Sequence, residues 1–95
     1  LGTGDHWVEP EELYQSIKDR TDFQNAEAVR LLVCRAGYGG QNSYAAKFAK
    51  IANKPVIATS EGAFFVAPGV VEAYYYQKWS FLPDYSRPNV WETFE

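Results

Sequence analysis

Ninety-five residues, of which 46% are hydrophobic and 17% aromatic, suffice for one compact core but not for two. The net charge is −3 and the basic residues form no cluster, which argues against a nucleic-acid partner. No apolar run approaches the roughly 20 residues of a membrane span, and no basic-then-apolar leader opens the chain. The sequence therefore predicts one α/β domain over residues 1–95, with no nucleic-acid partner and no membrane span.

The N-terminal quarter predicts a short linker followed by one helix. The chain has no methionine and opens on Leu1-Gly2-Thr3-Gly4, so we expect a C-terminal fragment of a longer chain. Glu9-Pro10-Glu11-Glu12 indicates a helix start, because proline suits the first helical position and carboxylates are favoured near the positive end of the dipole. The apolar spacing that follows predicts a helix over about 10–19. The polar stretch 21–27 predicts a loop.

The middle of the chain predicts a parallel strand-helix-strand core. Residues 28–34 are nearly all apolar, which is typical of a strand covered on both faces and makes them the best candidate for a central strand. A glycine-rich turn follows, and Asn42 or Ser43 can cap a helix over about 43–53. Residues 55–59 predict a second buried strand. This order implies a right-handed crossover in a small three-layer-type α/β domain.

The C-terminal third predicts antiparallel structure. Two apolar and aromatic runs within 62–77 are separated by Pro68-Gly69, a turn dipeptide, which predicts a hairpin. The aromatic residues of the second run suit a pleated sheet better than a helix surface. Residues 83–88 contain two prolines and predict a loop. Residues 90–94 predict a last edge strand.

Cys34 is the only cysteine, which excludes an internal disulfide framework and a Cys-rich zinc site. Its thiol is either buried and inert, the commoner outcome, or reactive. A parallel strand ending at Cys34, followed by a glycine-rich turn and a helix start, places the sulfur in the crevice at the carboxyl edge of the sheet. There the helix N-terminus favours the thiolate, and turn N–H groups can bind an oxyanion. The predicted substrate and oxyanion loop comprises Arg35, Gly37, Gly39 and Gly40.

Three further residues are candidates for the same site. Ser60 and Glu61 follow the second strand and are expected to line the crevice, the alternative being a plain turn into the hairpin. His6, the only histidine, is the candidate general base to the thiol, the alternative being a mobile terminus without a role. One histidine and one cysteine form no metal constellation, so we predict no metal and no cofactor. The glycine-rich turn lacks the Lys-Ser/Thr pair of a phosphate loop, which argues against nucleotide binding.

Five segments carry a resemblance to a known family. Residues 29–37, 42–45 and 54–58 give a strand, Cys, small residue, Gly and helix pattern followed by Pro-Val-Ile-Ala, while 10–13 and 91–94 supply a Pro-Glu-Glu-Leu helix and an aromatic tail. This resembles a C-terminal domain of bacterial polymorphic toxins of the Rhs and contact-dependent type. That domain in turn is similar to caspase-like cysteine peptidases, including the self-processing peptidase of large clostridial and MARTX toxins.

The resemblance implies that Cys34 is a nucleophile and that a histidine is its partner. It departs from the family pattern at His6, since Trp7 stands where the usual His-Gly pair has glycine, and the histidine-bearing strand can lie upstream of Leu1. The resemblance also implies a secreted protein, or one delivered into a target cell as part of a larger toxin. Its expected partners are a protein substrate of the host or target cell and a cognate immunity protein.

Two functional hypotheses follow. In the first, the domain is a toxin effector or processing domain that performs thiol-dependent acyl transfer as a cysteine peptidase or deamidase. Cys34 attacks a carbonyl, and His6 or an upstream histidine takes the proton. In the second, the domain is a non-catalytic binding module of a secreted toxin that docks a partner protein through its aromatic hairpin.

Overall fold

A computed structural model describes residues 2–3 and 6–95, with side chains from residue 8 onwards. It shows a small mixed α/β domain with helices, two three-stranded sheets and one short strand pair. A single 3₁₀ turn among the described residues, Gly40–Asn42, precedes the third helix. The other elements are β1 (Gly2–Thr3), β2 (His6–Trp7), α1 (Pro10–Ile17), α2 (Thr21–Asn25), β3 (Val29–Arg30), α3 (Tyr44–Ala52), β4 (Val56–Ala58), β5 (Gly62–Ala67), β6 (Val70–Tyr76), β7 (Pro83–Pro88) and β8 (Glu92–Phe94).

The two longer helices confirm the predictions over 10–19 and 43–53, with ends that differ by two residues or fewer. α3 begins at a side-chain cap, because the Ser43 hydroxyl accepts the N–H of Ala46 at 3.1 Å. It ends at Asn53, whose φ of 55° lies in the left-handed region that asparagine tolerates. Within the part of the chain described, no helix has the length and apolar content needed to cross a membrane.

The prediction of a loop over 21–27 is wrong, because residues 21–25 form α2. Two charged side chains explain this short helix. Arg20 at its N-cap donates two hydrogen bonds to Asp22, at 3.0 and 2.9 Å. At the other end the Lys54 ammonium donates to the carbonyl oxygens of Ala26, at 2.8 Å, and Gln24, at 3.4 Å. A cation is favourable there because carbonyls without helical partners carry the negative end of the dipole.

The first sheet has the order β3-β4-β8, so β4 is its central strand and β3 lies at an edge. β3 and β4 are parallel and α3 lies between them in the chain, whereas β8 pairs antiparallel with β4 as an edge strand. The parallel pairing is short. It joins only Val29 to Val56 and Arg30 to Ile57, with one further bond from the Leu31 N–H to the Ile57 oxygen at 2.9 Å. The predicted central strand over 28–34 is therefore wrong in length and in place.

The chain reverses direction after β3. The Arg35 N–H donates to the oxygen of Glu61 at 2.7 Å, and the Gly37 N–H donates to that of Thr59 at 2.8 Å. The partner number falls as the residue number rises, so residues 35–37 run antiparallel to residues 59–61. Alternate side chains before the reversal are exposed, including Leu32 and Cys34, so this stretch is covered on one face only. Cys34 thereby lies at the turn between the two sheets.

The second sheet, β5-β6-β7, contains the predicted hairpin. Pro68-Gly69 forms its turn, and Gly69 has a φ of +76°, which glycine adopts without steric cost. The prediction of a loop over 83–88 is wrong, since these residues form β7 at the edge of this sheet. Proline is compatible with that position because one side of an edge strand needs no hydrogen-bond donors.

The core lies between α3 and the first sheet. Phe48, Val56 and Ala58 are fully buried there, and the small residues of α3 allow it to lie close to the strands. Phe94, on β8, closes the same core against Gly37. The buried cluster as a whole comprises Leu31, Ala36, Ala45, Ala46, Phe48, Ala49, Val56, Ala58 and Phe94.

Candidate functional site

The Cys34 sulfur is exposed and faces the first residues of the hairpin. The N–H of Ala63 donates to it at 3.4 Å, and its thiol donates to the carbonyl oxygen of Ala63, with a sulfur-oxygen distance of 3.7 Å. β5 is an edge strand of the second sheet, so the sulfur contacts main-chain groups on the side of β5 that pairs with no other strand of that sheet. The thiol is therefore held in place by backbone while remaining accessible to solvent.

Tyr76, at the end of β6, lies near the sulfur. Burial raises the pKa of Tyr76 to about 12, and the neighbouring Cys34 side chain acts in the same direction. A phenol is protonated at neutral pH even without such a shift, so this hydroxyl can donate. Its ring meets Phe64 and Phe81 edge to face, at centroid distances of 5.8 and 5.9 Å, which fixes its orientation.

Arg35 follows Cys34 and lies between two tyrosines. Its guanidinium carbon is 5.2 Å from the ring centroid of Tyr76 and 5.7 Å from that of Tyr38, within the range of cation–π attraction. The backbone of Arg35 has a φ of 59°, which is uncommon outside glycine, asparagine and aspartate. The bond from its N–H to Glu61 stabilises this conformation. A non-glycine residue held there often marks a functional position.

Two shallow cavities meet at Arg35. One, of about 370 Å³, is lined by Arg35, Tyr76, Gln77, Trp79, Ser80 and Phe81. The other, of about 270 Å³, is lined by Glu9, Pro10, Arg35, Tyr38, Asn42, Tyr44 and Lys47. The first lies close to Cys34, because its lining includes Arg35, the next residue in the chain, and Tyr76, whose pKa the Cys34 side chain helps to raise.

Residues 2–73 match the family model described as Domain of unknown function (DUF8616). The chain belongs to the DUF8616 family. No curated protein and no solved structure matches it. The matched part of this DUF8616 domain contains Cys34, Arg35 and Ala63, whereas Tyr76 and cavity residues 77–81 lie C-terminal to it.

Three of the candidate residues, Cys34, Arg35 and Glu61, lie close together. Glu61 accepts the Arg35 N–H through its backbone, and its carboxylate is near enough to Tyr76 to raise the pKa of that phenol further. The Ser60 side chain contacts Asn89: its hydroxyl accepts the side-chain N–H of Asn89 at 3.1 Å. This contact is structural.

The glycine turn contributes differently from the prediction. The Gly37 N–H is buried and already donates to Thr59, so it is not free to bind an oxyanion. Gly39 and Gly40, with φ values of +102° and +59°, shape the turn into the 3₁₀ helix. The hydrogen bonds of the sulfur go instead to the hairpin. The proposed general base, His6, has a side chain outside the described part of the chain, so its role stays a prediction.

Tyr76 and the Ala63 backbone were not predicted as site groups. The strand alternation of β6 was the available signal, since Tyr74 and Tyr76 share one face while Tyr75 occupies the other. Which tyrosine meets Cys34 depends on contacts more than 40 positions apart, which periodicity does not encode. Among residues with described side chains, no group of three or more His, Cys, Asp or Glu residues could hold a metal ion.

Proposed function

We propose that this DUF8616 domain performs thiol-dependent acyl transfer, as a cysteine peptidase or deamidase, with Cys34 as the nucleophile. The observation that supports this most is the exposed sulfur, which accepts the Ala63 N–H at 3.4 Å and lies near Tyr76, whose pKa the Cys34 side chain helps to raise. The resemblance to polymorphic toxins supplies the setting, an effector or processing domain of a larger bacterial toxin. In this proposal the short parallel pair and α3 form the core of a three-layer-type fold.

The reaction begins when a base takes the thiol proton and the sulfur attacks a substrate carbonyl carbon. His6 or a histidine upstream of Leu1 is the proposed base. A carbon-sulfur bond forms and the carbonyl oxygen becomes an oxyanion. The amine or ammonia then leaves with a proton, and water hydrolyses the thioester to give the acid and regenerate the thiol. The products are a cleaved peptide or a deamidated side chain.

The hairpin supplies the stabilising groups in this proposal. The oxygen of an attacked carbonyl lies next to the sulfur, so donors that face the sulfur are within reach of it. The Ala63 N–H meets this condition, and in this proposal the hydroxyl of the neighbouring Tyr76 does so too, whereas the Gly37 N–H is engaged. Tyr76 keeps its proton throughout the neutral range, as an ordinary phenol does, and its pKa of about 12 extends this into the alkaline range.

A peptide pool tests the proposal. The wild-type domain is incubated with the pool, and mass spectrometry detects new peptide termini or amides converted to acids. We expect Cys34→Ser to abolish both, and Tyr76→Phe to slow them by roughly tenfold or more. Tyr75→Phe is the matched control, since Tyr75 lies on the opposite face of β6 and should leave the rate unchanged. Equal activity in wild type and Cys34→Ser would refute the proposal.

A second candidate function, docking of a partner protein, is favoured by the exposed aromatic residues of the hairpin sheet. The side chains of Trp79, Phe81 and Phe65 are 93%, 84% and 73% exposed. Trp79 and Phe81 lie two residues apart after β6, and exposed apolar groups that are close together commonly mark interaction surfaces. In the parent protein, the binding hypothesis predicts that Trp79→Ala abolishes the biological effect and Cys34→Ala preserves it. The catalytic hypothesis predicts the loss with Cys34→Ala.

A further inference from the structure

Arg35 is exposed, and the Glu61 carboxylate, which like Arg35 lies near Tyr76, does not come within ion-pair distance of it. Arg35 forms no ion pair with a described residue, and its guanidinium donates no hydrogen bond to one. Its side-chain contacts of note are the rings of Tyr38 and Tyr76. Cation–π contacts engage the faces of the guanidinium plane, so the N–H donors in that plane remain available.

The position of these donors is fixed by the backbone. The left-handed φ of Arg35 and the 2.7 Å bond from its N–H to Glu61 set the direction in which the side chain leaves the chain. The rings of Tyr38 and Tyr76 then restrict the movement of the guanidinium group. A planar fork of donors that is held in place suits a group with two acceptor oxygens, above all a carboxylate.

The cavity that receives these donors adjoins the proposed nucleophile. Its volume of about 370 Å³ falls within the range of small-ligand sites, and three of its six lining side chains are the aromatic Tyr76, Trp79 and Phe81. Arg35, which follows Cys34 directly in the chain, and Tyr76, which lies near Cys34, both line this cavity. A side chain anchored in the cavity would therefore hold its own backbone carbonyl near the sulfur.

We propose that this cavity binds the carboxylate side chain of an acidic residue in a peptide substrate, with Arg35 donating to both carboxylate oxygens. The aromatic walls contact the methylene groups of the same side chain. This inference rests on the proposed thiol chemistry, because the carboxylate selects which substrate carbonyl the sulfur meets. Arg35 is thus the residue that determines specificity for acidic substrates.

Two matched electrophiles test the inference: the α-amides of N-chloroacetyl-glutamate and N-chloroacetyl-glutamine. In each reaction the sulfur displaces chloride from carbon, and the thiol proton goes to buffer. The two reagents differ only at the end of the side chain, which is a charged carboxylate in one and a neutral amide in the other. We expect the glutamate compound to alkylate Cys34 roughly tenfold faster at subsaturating concentration, as one charged hydrogen-bond pair supplies.

Variants assign the preference to Arg35. We expect Arg35→Gln to bring the ratio of the two rates to about one, and Arg35→Lys to retain part of it because lysine lacks the planar fork. Arg87→Gln is the matched control, since Arg87 stacks on the exposed Tyr75 at 4.7 Å in the same sheet and lies outside the cavity. A ratio near one in the wild type, or an unchanged ratio in Arg35→Gln, would overturn the inference.

A binding measurement separates this inference from the proposed function. In Cys34→Ser, N-acetyl-glutamate α-amide is titrated while NMR follows the indole signal of Trp79, with the glutamine compound as control. Shifts with the glutamate compound alone, absent in Arg35→Gln, support the carboxylate site even if no peptide is ever hydrolysed. The absence of such shifts in a domain that does hydrolyse peptides would refute the carboxylate site and leave the thiol chemistry standing.

Discussion

Replacing Gly37 with alanine tests how tightly the segment after Cys34 is packed. A Cβ at Gly37 would lie 3.1 Å from Cε2 and Cζ of Phe94 and 3.1 Å from the carbonyl carbon of Thr59. Neither neighbour can move easily. The Thr59 carbonyl accepts the Gly37 N–H at 2.8 Å, and the Phe94 ring belongs to the buried cluster. The added methyl therefore has no free space to enter.

The expected cost follows from this lack of space. Overpacking by about one methyl group in a closed site costs roughly 1–3 kcal/mol of unfolding free energy. With a urea m-value of about 1–2 kcal/mol/M for a small domain, the unfolding midpoint should fall by roughly 1 M. The m-value itself should not change, because the unfolded chain exposes nearly the same surface.

Gly40 provides the contrast. A Cβ there meets nothing within 4 Å, but the φ of +59° disfavours side chains, so Gly40→Ala costs about 1 kcal/mol through conformation alone. Gly40→Asn should recover part of this, since asparagine tolerates that region. Phe94→Leu should relieve Gly37→Ala in a double-mutant cycle and leave the cost of Gly40→Ala unchanged. A loss below about 0.5 kcal/mol for Gly37→Ala would refute this account of the segment.

Three further predictions concern single side chains. Lys54→Met should lower the unfolding free energy by about 1–2 kcal/mol in urea titrations, because the ammonium bonds the carbonyls at the end of α2; an equal loss for the exposed Lys50→Met would contradict this. Ser43→Ala should cost about 1 kcal/mol and Ser43→Gly less, and equal values by calorimetry would refute the cap. Stability should fall as pH rises from about 10 to 12, because Tyr44 and Tyr76, both with the pKa raised to about 12, keep protons that the unfolded chain releases. Replacing both tyrosines with phenylalanine should reduce the fall of the urea unfolding midpoint between pH 10 and 12. An equally steep fall in the double variant would count against these assignments.

The two longer helices, α1 and α3, and the hairpin were predictable because local sequence determines them. Proline at the start of α1, the Ser43 cap and the Pro68-Gly69 turn each impose their geometry within a few residues. The tertiary structure adds little to these choices.

The predictions failed where contacts between residues far apart in the sequence determine the local structure. Residues 28–34 read as a central strand because apolar runs do not reveal where pairing stops, and here it stops after Leu31. α2 forms because Lys54, which follows α3 in the chain, donates to the carbonyl oxygens at the C-terminal end of α2. Residues 83–88 form a strand despite two prolines because β6 offers an edge to pair with.

The site was predictable in part. The sequence placed Cys34, Arg35 and Glu61 at one crevice because strand ends meet at the edge of a parallel sheet. The three residues do lie close together, but through the antiparallel pairing of residues 35–37 with 59–61. The sequence assigned the donors to the glycine turn, whereas the N–H that the sulfur accepts belongs to the hairpin. That difference follows from the reversal of the chain at Cys34, which turns the sulfur toward β5 and Tyr76.

The alkylation rate of Cys34 tests the central proposal most directly. Because the chain has one cysteine, the intact mass after treatment with iodoacetamide reports on this sulfur alone. The rate is compared at neutral pH between the folded domain and the same chain in concentrated guanidinium chloride. We expect the folded domain to react roughly tenfold faster, as activated thiols do, and Tyr76→Phe to reduce that advantage. A folded domain that reacts more slowly than the unfolded chain would contradict a nucleophilic role for Cys34.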